Sequence, residues 1–527
     1  MLRLLFVALA MLATGCHVDL NDPGTDPLPG QFYFPSGLVL DPEGQFLYVS
    51  NHNSDLRYAG GTIQMVDLNR FECARARARV RLGLDMTDMP LPGSMCEEQK
   101  VVSDSAMCFH DPSDPSTINC GMTPNDTLKT PSLPYILDQQ TVKVGNFAGN
   151  MVLQARPWEN VGKRRLFIGV RGDPSVTWID TFPNNDADGA RKLNCVDDTN
   201  PMLPHTLAPG CTTNHVIQTY NCTSQQNLTQ LPCTDVSVVL PAEPFGITYD
   251  EGVHAANEQP GYARLLVSHL SGGQVSLIDV LAPDQLGIES ISSPFFTADS
   301  TGRHGNFALA PQHPGDASSL WYMTANNQPN VATFRIADVK VVVPAPTFSV
   351  GAPFASGNDV RAIAFDQGGN RAFLTDNNPP SLIVLDTRTL PVSGSVLPGT
   401  PTNTVLDVIN VCSTPSHLTL RTVEVPGAPG QPSRLATRVY VTCFQSNQIM
   451  VVDPDLAVVT DTILVGRGPN DLVFADGPSI TEANRHPRAY VTNFSEMTIG
   501  VIDVERGSKT ENRMIARIGV PVPPPLP

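Results

Sequence analysis

A recurring unit constrains this chain more than any other feature. A short apolar strand is followed by a turn and a β-branched or aromatic strand ending in a small polar residue. A third strand then closes the unit, often on Ile-Asp or Val-Asp. The clearest copy is Arg488-Ala489-Tyr490-Val491-Thr492-Asn493 followed by Thr498 to Asp503. Others are Leu47 to Asn51 with Ile63 to Asp67, and Val439 to Cys443 with Ile449 to Asp453. Weaker copies end at Asp180, Asp279, Ile336 and Asp386, which makes seven. Self-similarity of this kind marks a repeat architecture.

The last residues of the copies are spaced 113, 99, 57, 50, 67 and 50 residues apart. The short intervals match a propeller blade of roughly 40–50 residues. The two long ones require insertions, at about 68–140 and 181–234. Within the unit, Ile499 and Val501 alternate with Thr498, Gly500 and Ile502, as expected of strands buried on both faces between neighbours.

Tyr490-Val491-Thr492-Asn493 resembles the motif of the YVTN β-propeller repeat, and Gly468-Pro469-Asn470-Asp471 ahead of it fits the same family. The resemblance runs from about Phe34 to Val520. It implies an all-β fold: a seven-bladed β-propeller of four-stranded antiparallel blades, over 31–520, with disulfide-rich insertions in the first two blades. A single blade cannot bury both its faces, whereas a closed ring can.

Composition agrees. Charged residues are 16% of the chain, and there are 48 prolines and 40 glycines. Such a chain is too apolar to be disordered and is turn-rich, as all-β folds are. The 34 Lys and Arg stand against 51 Asp and Glu, a net charge of −17, which argues against a nucleic-acid partner.

The N-terminus reads as an address. Arg3 precedes an apolar run from Leu4 to Ala13, too short to span a bilayer. Leu12-Ala13-Thr14-Gly15-Cys16 resembles the lipobox of bacterial lipoproteins. The resemblance implies a signal peptide over 1–15, cleavage before Cys16 and lipidation of that residue. Residues 16–30 would be a flexible tether and 521–527 a proline-rich tail. The expected location is the bacterial cell envelope, anchored to a membrane by the lipid.

Ten further cysteines suit an exported, disulfide-bonded chain. Each insertion holds four of them, and one shared, disulfide-stapled lobe on the rim of blades 1 and 2 is expected. In propeller topology Cys412 and Cys443 fall on one rim of neighbouring strands, which predicts a Cys412–Cys443 disulfide. Blade 1 should regain its outer strand at Thr141 to Gly145, and blade 2 at Asp235 to Val239. The alternating Arg75 to Leu82 reads as an amphipathic strand with an arginine face.

The start of each first strand and the end of each second strand meet at one end of a propeller channel. Candidate binding residues there are His52, His269, His304, His417, Asp376, Asp471 and Asn493. Imidazoles can ligate transition metals, so a metal at the rim is the alternative to residues that hydrogen-bond loops and water. No cofactor is expected, and no catalytic set or c-type haem site is recognisable. The half calcium loop at Asn184 to Gly189 meets Cys195 where a glutamate is needed. The favoured function is a scaffold that binds an envelope protein or a small ligand. The alternative is a propeller enzyme, lactonase-like or metal-dependent, or a redox-enzyme subunit.

Overall fold

The computed structural model describes residues 25, 27–28, 30–84, 107–111, 114–121, 133–137, 140–155, 164–182, 192–194, 216–217, 219–220, 238–250, 263–281, 285–292, 305–316, 318–325, 328–337, 341–351, 359–389, 401–426, 432–475 and 486–522. Blade 1 holds β1 (Pro35–Leu40), β2 (Phe46–Asn51) and β3 (Gly61–Asp67). Its insertion carries α1 (Leu68–Arg81), β4 (Cys108–His110) and β5 (Ile118–Cys120) before the outer strand β6 (Val142–Val144). Blade 2 holds β7 (Ala148–Ala155), β8 (Arg164–Val170) and β9 (Ser175–Phe182), edged by β10 (Lys192–Asn194) and β11 (Val216–Ile217). A two-stranded sheet of β12 (Thr219–Tyr220) and β13 (Val238–Val239) follows.

The remaining blades are regular. Blade 3 is β14 (Pro244–Asp250), β15 (Ala263–His269), β16 (Val275–Leu281) and β17 (Gln285–Ser292). Blade 4 is β18 (Asn306–Pro311), β19 (Trp321–Ala325), β20 (Asn330–Ala337) and β21 (Val341–Ser349). Blade 5 is β22 (Val360–Phe365), β23 (Arg371–Asn377), β24 (Pro380–Asp386) and β25 (Thr404–Asn410). Blade 6 is β26 (Pro415–Val425), β27 (Arg434–Cys443), β28 (Gln448–Asp453) and β29 (Val458–Leu464). Blade 7 is β30 (Pro469–Ala475), β31 (Arg488–Asn493), β32 (Thr498–Asp503) and β33 (Arg513–Ile518). The innermost strands contact in sequence, and β30 meets β1, so seven antiparallel blades close a ring.

There is one apolar core at each interface between blades. Ile499 and Val501 of blade 7 pack against Leu47 and Val49 of blade 1. On the other face of blade 7, Val491 and Ile502 pack against Ile449 and Val451 of blade 6. Strands with two apolar faces leave few positions for charge, which accounts for the low charged fraction.

A hydroxyl one or two residues before the end of the second strand recurs. The innermost strand of every blade is irregular near its start, which frees a backbone N–H. Ser50, Ser268, Thr324, Thr375 and Thr492 accept that N–H, from Gly37, Gly246, Ala308, Ala362 and Asp471, at 2.8–3.1 Å. Some of these hydroxyls also donate to the next blade: Ser50 to the Gly149 carbonyl at 2.8 Å, Ser268 to that of Phe307 at 3.1 Å. Thr442 reaches the Asn470 carbonyl at 3.3 Å. A buried polar group is tolerated when its bonds are satisfied, and here they join adjacent blades. Blade 2 has Gly169 at this position.

The insertions correct the sequence reading. Residues 68–81 form a helix, so the arginine run is not a strand. Leu, Ala and Arg all favour helix, and the Asp67 carboxylate caps it by accepting the Arg70 N–H at 2.9 Å. Phe71, Ala74 and Ala78 face the core between blades 7 and 1. Beyond the helix, β5 adds in parallel to β33, and β4 adds to β5. The first insertion therefore clasps the outer edge of blade 7; the lobe expected to be shared with the second insertion falls largely on residues outside those described. Beneath the clasp Ile515, Ala516 and Ile518 are buried, whereas the uncovered outer strands β25 and β29 are almost wholly exposed.

Ion pairs fix the clasp. Arg517 of β33 pairs with Asp111, and lies 2.8 Å from Glu496. Disulfides join Cys108 to Cys120 and, as expected, Cys412 to Cys443. Blade 1 regains its outer strand at 142–144 as anticipated. In blade 2 the described edge is β10 and β11, and Val238–Val239 pairs with β12 rather than with the blade. Cys16, the tail beyond 522, the 184–189 loop and the other insertion cysteines apart from Cys73 lie outside the described residues.

Candidate functional site at the channel mouth

The entry to each innermost strand has a shared geometry. Phe34, Phe147, Glu243, Thr414 and Gly468 all have φ between 52° and 68°. Only glycine adopts this conformation without steric cost. Four blades hold a larger residue there, fixed by a bond from the adjacent second strand of the same blade. The N–H after the second strand donates to this residue's carbonyl: His52 to Phe34 at 3.0 Å, Arg171 to Phe147 at 3.3 Å, Leu270 to Glu243 at 3.0 Å and Phe444 to Thr414 at 3.0 Å.

These turns present aromatic rings. Phe444 and Phe494 lie 5.9 Å apart, Phe494 and Phe34 5.2 Å, His52 and Phe494 5.7 Å, and His52 and Phe147 5.0 Å. The arc spans blades 6, 7, 1 and 2. Blades 3 and 4 continue it with Phe245 and Phe307, 5.7 Å apart and edge to face. Arg171 lies over Phe245 at 5.8 Å and Arg361 of blade 5 over Phe307 at 5.3 Å. All six phenylalanines are half-buried. Together the rings and guanidinium groups form a collar to which every blade contributes.

Phe245, Phe307 and Arg361 also line a cavity of about 220 Å³ at the centre of the ring. Its polar lining includes Asn150, Thr248, His417, Asn470 and Asp471. His417 Nε2 stands 3.3 Å from Asp471 Oδ1. Asp471 Oδ2 accepts the Leu38 N–H at 2.8 Å, and Asn470 Nδ2 donates to the Ser36 carbonyl at 2.7 Å. Arg361 lies 2.8 Å from Asp359, and Arg171 3.2 Å from Glu243.

The residues singled out from sequence divide into two groups. His417 and Asp471 meet in the cavity, and His52 sits in the collar with Nδ1 2.6 Å from Ser54 Oγ. Burial, reinforced by the Arg171 charge, pushes the His52 imidazole down to about 4. The others are ties beneath the rim. His269 is fully buried, with Nδ1 3.2 Å from the Ala242 carbonyl and Nε2 2.9 Å from Ser276 Oγ, and burial lowers it to about 4. Asp376 accepts the Asp359 and Asn378 N–H groups at 2.9 and 3.0 Å. Asn493 donates to Thr498 Oγ1 at 3.0 Å. His304 lies outside the described residues. Among the described residues, no group of three or more His, Cys, Asp or Glu is arranged to hold a metal ion.

The sequence reading overlooked the phenylalanines, Arg361 and Asn150. Two of the rings left a local trace, since Phe444 and Phe494 directly follow the second strand of their blades.

No protein-family model matches the chain, and no curated protein does. Among solved structures it is similar to PpgL, a periplasmic gluconolactonase of Pseudomonas aeruginosa. That likeness has 15% identity and a TM-score of 0.43, covering 83% of this chain and 87% of that one. A Bacteroides fragilis protein provisionally assigned as a 6-phosphogluconolactonase matches at 14% and 0.40, over 82% and 85%. The β-propeller domain of Cps50 (Swd1) from Myceliophteria thermophila matches at 10% and 0.44, over 91% and 99%. At these identities the likeness extends to the fold alone.

Proposed function

We propose that this protein is a lipid-anchored binding propeller of the bacterial cell envelope, which engages a partner protein or small ligand at its channel mouth. The observation that carries the binding reading is the collar: six half-buried phenylalanines and two arginines, drawn from all seven blades, ring the mouth, and three of them, Phe245, Phe307 and Arg361, line one polar cavity. A concave site with apolar walls and a few convergent polar groups is the usual form of a ligand pocket. The anchoring reading rests on Leu12 to Cys16, whose pattern is that of a lipobox. The YVTN-type motif at Tyr490 to Asn493 supports placing the chain among repeat propellers of that kind.

Two measurements test this. Bacteria expressing the full chain and fed labelled palmitate should label the protein, and Cys16→Ser should abolish labelling. A photo-crosslinking residue at Phe494 should trap a discrete adduct in intact cells, and the same residue at exposed Arg57 should not. Equal trapping at both positions refutes the mouth as the binding face.

A second reading, an enzyme at the same mouth, is favoured by the His417–Asp471 pair. A carboxylate that orients an imidazole is a common element of general-base sites. Turnover of any substrate by the wild type but not by His417→Gln would support it.

A further inference from the structure

If the mouth is a ligand site, the class of ligand follows from which of its polar atoms are already occupied. The carboxylate on the cavity wall is saturated. Asp471 accepts the N–H groups of Leu38 and Leu472, both at 2.8 Å, and faces His417. Arg361 is different. Its Nε and Nη2 both meet a single oxygen of Asp359, at 2.9 and 2.8 Å. Its Nη1 has no partner among the described residues. The guanidinium is one-third exposed, stacked on Phe307, and forms part of the cavity wall. Asn150, on the innermost strand of blade 2, lines the same cavity, and its amide also lacks a partner among the described residues.

The cavity thus combines a cationic fork with one end unused, an open amide and two aromatic faces. A guanidinium that has spent one edge on a carboxylate can still bind a second through the other. We propose that the channel mouth binds a small organic carboxylate with an apolar or aromatic body. The carboxylate accepts from Arg361 Nη1, with Asn150 as the polar group on the facing wall. The body packs against Phe245 and Phe307. Arg171, over Phe245, adds a second positive charge at the lip, while Glu243 and Asp359 temper both. A cationic analogue is therefore the deciding comparison. The proposal rests on the binding reading above.

Titration of the full chain with phenylacetate, phenethylammonium, 2-phenylethanol and acetate, followed by calorimetry and ligand-observed NMR, tests it. Phenylacetate should bind at least about tenfold more tightly than the amine, the alcohol or acetate. Arg361→Gln should remove that preference, and Arg361→Lys should keep part of it. Thermal unfolding of each variant separates loss of binding from loss of fold. Equal or tighter binding of the amine or alcohol overturns the carboxylate class while leaving the mouth as a binding site. So does undiminished phenylacetate affinity in folded Arg361→Gln. Absence of binding by all four probes also overturns the class, and the crosslinking at Phe494 decides the mouth itself separately.

Discussion

The Asp471 carboxylate of blade 7 accepts the backbone N–H of Leu38 in blade 1 at 2.8 Å, across 433 residues of chain. The ring closes through this side-chain bond, the neighbouring Asn470–Ser36 bond and the core beneath them. Removing the charged acceptor leaves buried N–H groups unpaired, at a cost of about 1.5–3 kcal/mol. Asp471→Ala should lose that much in urea unfolding, while Asp55→Ala, an exposed carboxylate, should change stability by less than about 0.5 kcal/mol.

The recurring hydroxyl makes opposite predictions in two blades. Thr492→Val should destabilise by about 1–2 kcal/mol, because the Asp471 N–H loses its acceptor. Gly169→Ser should instead be neutral or gain up to about 1 kcal/mol. A Cβ at Gly169 would sit 3.5 Å from the Pro244 carbonyl and 3.9 Å from that of Phe245, room enough for a hydroxyl to reach the next blade. Denaturant midpoints of the two variants check both.

His269 predicts acid sensitivity. Burial lowers its imidazole from 6.5 to about 4 in the folded protein. Between those values the unfolded chain binds more protons, so this stabilisation is complete above pH 6.5 and lost as pH falls towards 4. The full loss is about 3 kcal/mol. His269→Gln should flatten the decline in melting temperature between pH 7 and pH 4 relative to wild type. An unchanged slope would assign the acid response to other groups.

The clasp predicts a local effect. Cys108 and Cys120 are 12 residues apart, on strands that cover β33. Closing a loop of that size contributes roughly 3 kcal/mol by restricting the unfolded chain. The double variant Cys108→Ser, Cys120→Ser should speed amide exchange in Ala516 to Ile518 and leave exchange in β23 of blade 5 unchanged. Uniform acceleration would mean the clasp stabilises the whole ring rather than one edge.

The blades were legible because each must show apolar residues on two faces and a small polar residue at its rim, a pattern independent of distant sequence. Cys412 and Cys443 were legible because Cys412 lies just ahead of β26 and Cys443 ends β27, its neighbour in the same blade. The helix was not: arginines at 75, 77, 79 and 81 mimic strand alternation, while the helical spacing of Phe71, Ala74 and Ala78 relies on small side chains that add little signal. The collar was hidden for another reason. Its rings come one or two from a blade, and only closure of the ring brings Phe34 within 5.2 Å of Phe494. His269 and Asn493 looked like mouth residues from their place in the repeat, but that place faces inward to the turn.

All four strands of blade 7 come from the last stretch of the chain, while the segment that covers its outer edge belongs to blade 1. In a chain made from its N-terminus, the slot exists before the piece that fills it. Until residues 469–518 are synthesised, Leu47, Val49 and Phe71 have no neighbour on that side. A prematurely terminated product would carry an open seam of aliphatic and aromatic surface, a mark that distinguishes an unfinished ring from a complete one.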